Sequence, residues 1–121
     1  MKIEKINDSK VNIAVVSSDD VLITDTQSAL DLIMTVKYET GADRIAISKG
    51  AIAEEFFILS SGLAGEVLQR FINYHFKLAI YGDYSKYTSK PLHDFIYESN
   101  NGKDIFFMSS RETAVEKLLS I

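Results

Sequence analysis

The sequence predicts an α/β fold, built on a mixed sheet that is mostly parallel, with one antiparallel edge strand and about four helices. Two observations lead to this prediction. Residues 2–6 and 11–16 are β-rich segments separated by the turn-forming residues 7–10, a pattern typical of an antiparallel hairpin. Each later apolar strand segment is preceded and followed by an amphipathic helical segment, and strand–helix–strand connections give parallel strands through right-handed crossovers.

The first helix is predicted at residues 24–39. Thr24 and Gln27 have the spacing of a capping box, and Gly41 supplies a stop after the last turn. Residues 21–23 are interpreted as extended chain leading into this helix. Its predicted core face contains the apolar residues at helical spacing, which are Ala29, Leu30, Ile33 and Met34.

The middle of the chain supplies a short buried strand and the second helix. Residues 45–47 are apolar and form the strand, whereas residues 51–59 form either one helical turn or an irregular loop. A helix is then predicted at residues 61–74, opened by Ser60, Ser61 and Gly62. Its core face contains Leu63, Ala64, Val67, Leu68, Phe71 and Ile72.

The last two predicted strands are residues 78–81 and 105–108, and a helix follows each of them. Pro91 suits a first helical turn, because its missing N–H group would have no partner there anyway. Ser109 and Glu112 have the spacing of a second capping box. The last two helices are therefore predicted at residues 91–100 and 110–120.

Composition excludes several classes of protein. Hydrophobic residues make up 46% and charged residues 25%, which is typical of a globular domain, and we expect one domain over residues 1–121. A net charge of −4 disfavours nucleic acid as a partner. Neither a signal peptide nor a membrane span is recognisable. Cysteine is absent, which fits a reducing cytoplasm, and no cofactor or metal site is predicted.

Two polar segments are candidates for binding. Residues 60–62 lie at a predicted helix start, where free N–H groups favour an anion, although a serine there is also an ordinary cap. Residues 82–90 form a long polar connection after a parallel strand, where α/β proteins bind ligands. The alternative is a solvated loop with turn-forming Asp83 and Ser85. Parallel topology would collect both segments, with Lys49 and residues 17–20, at one edge of the sheet.

Catalytic arrangements are not predicted. Ser85, His93 and Asp94 include the residue types of a triad, but adjacent helical residues point about 100° apart, so Asp94 is badly placed to orient His93. Glu54 and Glu55 precede two phenylalanines and are interpreted as the exposed part of a partly buried turn.

Residues 60–71, Ser-Ser-Gly-Leu-Ala-Gly-Glu-Val-Leu-Gln-Arg-Phe, resemble a segment of the STAS domains, the sulphate-transporter and anti-sigma-factor-antagonist family. The order of elements is similar to theirs, and Asp25 falls where that family often carries an acidic residue. Residues 62–66, 82–90 and 94–100 resemble more closely a bacterial family of small proteins, numbered 4180 among domains of unknown function. That second resemblance spans most of the chain and implies no established activity.

The STAS resemblance implies a switch in which a kinase-like partner phosphorylates a serine at the start of the second helix. Ser60 is the aligned residue, but Leu59 stands where STAS antagonists normally have an aspartate. Because an apolar side chain supplies neither charge nor hydrogen bond to the hydroxyl, we predict that Ser60 is not stoichiometrically phosphorylated in cells. Intact-mass measurement of natively expressed protein checks this, and a major species carrying one phosphate on Ser60 would overturn it.

The resulting interpretation is a STAS-like regulatory or protein-interaction module, with a small-molecule or anion-binding protein as the alternative. An enzyme ranks third, because no nucleophile–base pair is recognisable. The expected partner is a protein or a small anionic ligand, and a homodimer is left open. The predicted binding surface comprises Asp25, Ser60, Ser61, Gly62, Asp83, Tyr84, Ser85, Lys86 and Tyr87.

Overall fold

The structure is a computed structural model that describes residues 1–8 and 10–121. Its strands are β1 (Lys2–Asp8), β2 (Val11–Ser17), β3 (Arg44–Ser48), β4 (Lys77–Tyr81) and β5 (Ile105–Met108). Its α-helices are α1 (Thr26–Thr40), α2 (Leu63–Asn73), α3 (Lys90–Asn100) and α4 (Arg111–Leu119). The predicted turn at residues 7–10 includes Ser9, which lies outside the described residues.

The five strands form one mixed sheet in the order β1-β2-β3-β4-β5. Strand β1 pairs antiparallel with β2, and the pairs β2–β3, β3–β4 and β4–β5 are parallel. The predicted fold class is therefore confirmed, and the sheet is compatible with a STAS-like fold. Because β2 to β5 run in the same direction, the connections that follow them all leave from one edge of the sheet, called here the carboxyl edge.

Helices cover both faces of the sheet. Because successive side chains of a strand point to opposite faces, each strand contributes side chains to the cores on both sides. On one face, α1, α2 and α3 pack against residues such as Ile45, Ile47 and Ile80. On the other face, Ala114 and Leu118 of α4 share a core with β-strand residues. The strand residues of this second core are Ile13, Val15, Ala46, Ala79 and Phe106. Paired small side chains at positions 46 and 79 leave room for α4 to cross the sheet.

The cap of α1 lies one residue later than predicted. Asp25 is the N-cap: its carboxylate accepts the Ser28 N–H group at 2.8 Å, and Ser28 Oγ accepts the Asp25 N–H group at 3.1 Å. The prediction of Thr24 and Gln27 as the capping pair is wrong. A serine at the third helical position reaches back to the N-cap backbone as a glutamine would, so Asp25 takes the cap position.

The cap of α4 is displaced in the same way. Ser110 is the N-cap, its Oγ accepts the Thr113 N–H group at 3.2 Å, and Thr113 Oγ1 accepts the Ser110 N–H group at 3.1 Å. Ser109 and Glu112 were expected to form this box, and that prediction is wrong. A short hydroxyl side chain again serves where the capping-box pattern has glutamate or glutamine.

The buried faces of α1 and α2 differ in part from the predicted ones. Ala29 and Ile33 are buried in α1 as expected, together with Leu32 and Val36. Leu30 is only half-buried and Met34 is exposed, so their assignment to the core face is wrong. In α2 the prediction is confirmed except at Ile72, which is 43% exposed. Both helices carry apolar residues on more than one stripe, and their packing against each other selects the buried one.

The connection between β3 and α2 contains three short 3₁₀ turns, Lys49–Ala51, Glu54–Phe57 and Leu59–Ser61, instead of one helical turn or an irregular loop. It is held by a parallel bridge between Ile23 and Ile52. Backbone hydrogen bonds on either side of this bridge attach the connection to the chain before α1. The bridge thereby holds the second 3₁₀ turn over the carboxyl edge.

Strand β5 is the last strand of the sheet, so one of its sides has no neighbouring strand, and the side chain of Asn100 covers part of that side. Asn100 Nδ2 donates to the Phe107 carbonyl oxygen at 3.1 Å, and Asn100 Oδ1 accepts the Phe107 N–H group at 2.7 Å. An amide therefore satisfies two backbone groups that a further strand would otherwise pair. Among the described residues, no helix combines the length and apolar character that crossing a membrane requires.

Candidate functional site

Two loops meet at the carboxyl edge, one after β3 and one after β4, and the carboxylate of Glu54 joins them. Tyr87 donates its hydroxyl hydrogen to Glu54 Oε1 at 2.6 Å, and Lys86 Nζ lies 2.9 Å from the same oxygen. Lys49 Nζ lies 3.8 Å from Glu54 Oε2. The hydrogen bonds from Tyr87 and Lys86 hold the pKa of the Glu54 carboxyl below its ordinary value. We call Lys49, Glu54, Lys86 and Tyr87 the edge cluster.

The side chain of Lys49 is largely enclosed, in contrast to those of Glu54 and Lys86. Its side chain is 14% exposed. Its Nζ atom lies 5.2 Å from the ring centroid of Phe57 and 4.9 Å from that of Tyr87, and these rings stack at 5.3 Å. Aromatic faces attract a cation, which offsets part of the solvation that the ammonium loses. Burial lowers the pKa of Lys49, and the charge of Glu54 acts in the opposite direction.

Tyr84 belongs to the core beneath the loop. Its ring packs at 5.8 Å, edge to face, against Phe107 and at 6.1 Å against Phe57. Its hydroxyl donates to the Ile80 carbonyl oxygen at 2.8 Å, and burial raises its pKa. Tyr84 belongs to the predicted binding surface, but its ring is only partly exposed. The loop folds back onto two phenylalanines from distant parts of the chain, and this encloses the ring.

Gly82 and a turn closed by the side chain of Asp83 shape the start of the loop after β4. A Cβ atom on Gly82 would lie 2.8 Å from Lys49 Cβ, so only glycine lets the two loops approach this closely. Asp83 accepts the Ser85 N–H group at 2.9 Å, which closes a turn and lowers the pKa of Asp83. Asp83 and Ser85 thus have turn-forming roles, as the solvated-loop alternative expects.

A groove of about 560 Å³ runs beside the edge cluster, between the end of the β3–α2 connection and the start of α3. Ser60, Lys86 and Tyr87 line it, so the structure brings these three predicted residues together. Apolar side chains contribute to its walls, among them Ile58, which is 55% exposed. The full lining is Phe57, Ile58, Leu59, Ser60, Lys86, Tyr87, Thr88, Ser89, Pro91 and Leu92.

The remaining predicted site residues have structural roles outside this groove. Asp25 caps α1. Ser61 Oγ donates to the Glu55 carbonyl oxygen at 3.0 Å and accepts the Leu63 N–H group at 3.2 Å. Gly62 is the N-cap of α2 with a φ of 80°, a conformation that favours glycine. Ser60 consequently lies in the 3₁₀ turn before α2 and does not cap that helix.

Other groups considered from the sequence are engaged elsewhere. His93 Nε2 lies 2.6 Å from the Tyr87 carbonyl oxygen, and Asp94 pairs with Lys90 at 2.7 Å. Ser17, Ser18 and Asp19 reach the carboxyl edge but line a separate groove beside Ser48. Within the described residues, no group of three histidine or acidic side chains is placed to hold a metal ion.

Sequence reasoning missed the part that Glu54 plays. It was interpreted as an exposed glutamate of a partly buried turn, and its side chain is indeed exposed, but its carboxylate is the group that ties the two loops together. No local pattern relates Glu54 to Tyr87, which follows 33 residues later. The position of Lys49 at the carboxyl edge could be predicted because it directly follows an apolar strand, but its contact with the stacked rings of Phe57 and Tyr87 could not.

A family model described as domain of unknown function (DUF4180) matches residues 8–118. No curated protein and no solved structure matches the chain.

Proposed function

We propose, from the premise that the chain belongs to the DUF4180 family, that it is a regulatory protein-interaction module that binds an extended segment of a partner protein. The observation that carries the proposal is the groove at the carboxyl edge, which combines apolar walls, a lysine and several hydroxyl groups. The partner segment would lie between residues 58–60 on one side and residues 86–92 on the other.

The apolar walls support binding of an apolar side chain. Ile58 is more than half exposed although it adjoins a groove lined by Phe57, Leu59 and Pro91. Exposed apolar surface that continues into a concave apolar lining is typical of recognition sites, because its burial by a partner releases water. The groove is open, so an extended peptide can enter from the side without rearrangement of the fold.

The charge of Lys86 indicates the second feature of the partner segment. Lys86 is the charged residue in the lining of the groove, and its ammonium group shares the Glu54 carboxylate with that of Lys49, which leaves one negative charge against two positive ones. Complementary charge favours an acidic residue in the bound segment and opposes basic ones. The proposed partner segment therefore carries an apolar residue for the Ile58 side and an acidic residue for the Lys86 side.

A second candidate is a small anionic ligand in the same groove. The observation that favours it is the groove's volume, about 560 Å³, which lies in the range of small-molecule sites, about 300–1,000 Å³. Hydroxyl groups of Ser60, Thr88 and Ser89, together with Lys86, would then hold the anion. The two candidates differ in whether an extended peptide is needed for tight binding.

Selection of a random peptide library on the immobilised protein tests the proposal. We expect the selected peptides to contain an apolar and an acidic residue and to bind more than tenfold more weakly to Ile58→Asp, because that change removes apolar contact and repels the peptide's acidic group. Tenfold corresponds to about 1.4 kcal/mol. Fluorescence anisotropy with labelled peptides measures the dissociation constants.

Ile72→Asp is the matched control, because Ile72 is also an exposed isoleucine but lies on α2 outside the groove. Peptide affinity should be the same for this variant and the wild type. Equal weakening by both variants would contradict the proposed site. If the library yields no binder while a panel of small anions raises the melting temperature in a saturable way, the second candidate replaces the first.

A further inference from the structure

We propose that the edge cluster is a binding site for an oxyanion of the ligand, a carboxylate or a phosphate, and that the carboxylate of Glu54 occupies this site when the ligand is absent. The inference rests on the proposed function, since Lys86 and Tyr87 also line the groove. It adds the chemistry of recognition and a means by which binding changes the protein.

The donors are arranged as they would be for an added anion. The hydroxyl of Tyr87 and the ammonium of Lys86 converge on Glu54 Oε1 at 2.6 and 2.9 Å, and the ammonium of Lys49 lies 3.8 Å from Oε2. Carboxylates and phosphates bind most strongly to charged donors of this kind. Asp83 is another carboxylate whose charge reaches Lys49, but it accepts the Ser85 N–H group instead of joining the cluster.

The occupying group is the easiest part of the site to displace. Glu54 and Lys86 are both exposed, and ion pairs between exposed side chains are weak. Lys49 Nζ lies beside the stacked rings of Phe57 and Tyr87, and Gly82 packs against the Lys49 Cβ atom. An incoming anion would therefore meet the largely enclosed ammonium group of Lys49 and compete with an exposed carboxylate.

Displacement of Glu54 has a structural consequence. Its carboxylate links the 3₁₀ turn Glu54–Phe57 to the loop that carries Lys86 and Tyr87, and both segments form walls of the groove. An anion bound to Lys86 and Tyr87 takes the place of the Glu54 carboxylate, so the turn is no longer linked to the loop. Ligand binding is thereby coupled to the freedom of the groove wall, which gives the module two states.

Anion titration of a variant lacking the competing carboxylate tests the inference. For Glu54→Ala we expect saturable binding of inorganic phosphate or acetate, with an apparent dissociation constant lower than that of the wild type by about fivefold or more. If the Glu54 carboxylate occupies the site in about four-fifths of the wild-type molecules, an added anion finds the site free in about one-fifth of them. The apparent dissociation constant of the wild type is then about fivefold higher than that of the variant. Amide chemical shifts and melting temperature are measured against sodium chloride of equal ionic strength, and separate phosphate and acetate series identify the preferred anion.

Glu55→Ala is the matched control, because Glu55 is the exposed neighbour in the same turn and its side chain is outside the edge cluster. It should titrate as the wild type does. Adding Lys86→Met to Glu54→Ala should abolish the gain in anion affinity. Glu54→Gln removes the charge but keeps the size of the side chain, and it should show the same gain as Glu54→Ala. Equal phosphate and acetate affinities in the wild type and both Glu54 variants would overturn the inference, as would a gain that survives Lys86→Met. Neither result affects peptide binding that depends on Ile58, so failure of this inference is distinguishable from failure of the proposed function.

Discussion

Replacing Phe71 by alanine is expected to lower the free energy of unfolding by about 3–5 kcal/mol, the range for large aromatic truncations in cores. Phe71 is 0% exposed and belongs to the core that α1, α2 and α3 form on one face of the sheet. The change removes a ring from close-packed surroundings, so the protein loses both the transfer free energy of the ring and its packing contacts. Leu68→Ala, on the same buried face, should cost about 2–5 kcal/mol.

Urea denaturation followed by circular dichroism measures this loss. Ile72→Ala is the control, because Ile72 is adjacent to Phe71 on α2 but is 43% exposed, and its truncation should cost much less. Since domains of this size have a total stability of about 5–15 kcal/mol, Phe71→Ala is expected to leave a marginally stable protein. A loss below about 0.5 kcal/mol, the usual value for surface positions, would show that α2 packs through another face.

Replacing Tyr84 by alanine is expected to cost about 3 kcal/mol, the lower end of the range for aromatic truncations in cores, because the ring is partly buried. The ring fills the space between Phe57 and Phe107, and its hydroxyl donates to the Ile80 carbonyl oxygen. Its removal leaves a cavity under the β4–α3 loop and takes away a ring that packs against both members of the stacked pair Phe57 and Tyr87. Loss of the groove wall should therefore accompany the loss of stability.

The same denaturation experiment separates the ring from the hydroxyl. Tyr84→Phe keeps the ring and should cost only about 0.5–1.5 kcal/mol, the net contribution of one hydrogen bond. Tyr97→Ala is the exposed tyrosine control and should change stability by about 0.5 kcal/mol or less. If Tyr84→Ala proved as mild as Tyr97→Ala, the loop would be loosely attached and Tyr84 would be available for contact with a partner.

The strands and helices could be predicted because their signals are local. The apolar runs at residues 45–47, 78–81 and 105–108 correspond to parallel strands covered on both faces, as continuous apolar runs of strand length generally are. The helices begin and end within two residues of the predicted bounds. Their caps shifted by one residue, because hydroxyl and carboxylate side chains compete for neighbouring cap positions and the sequence offers several of them in a row.

The buried stripe of α1 could be predicted only in part. Apolar residues occupy positions 29, 30, 32, 33, 34 and 36, so two overlapping stripes have helical spacing. The structure buries Leu32 and Val36 and leaves Met34 exposed. Which stripe faces inward depends on how α1 packs against α2, and periodicity within one helix contains no information about its neighbour.

The candidate site, too, could be predicted only in part. Ser60, Lys86 and Tyr87 could be expected on one surface, because segments that follow parallel strands meet at the carboxyl edge, and they line one groove. Tyr84 was included in the predicted binding surface because it lies in a polar loop, yet its ring packs against Phe107. A polar loop composition does not reveal which of its aromatic residues turns inward.

The fold class, the order of the elements and the edge of the sheet at which the polar segments lie follow from local sequence patterns, because periodicity, turn residues and crossover handedness act over short stretches of chain. The contacts of Glu54 with Tyr87 and Lys86, and the cover that Asn100 gives β5 at Phe107, become visible in the folded structure alone. These contacts join separate segments through loops whose backbones follow no repeating pattern. Their geometry depends on the packing of the whole domain, so the pairing of side chains that forms the candidate site appears only once the chain has folded.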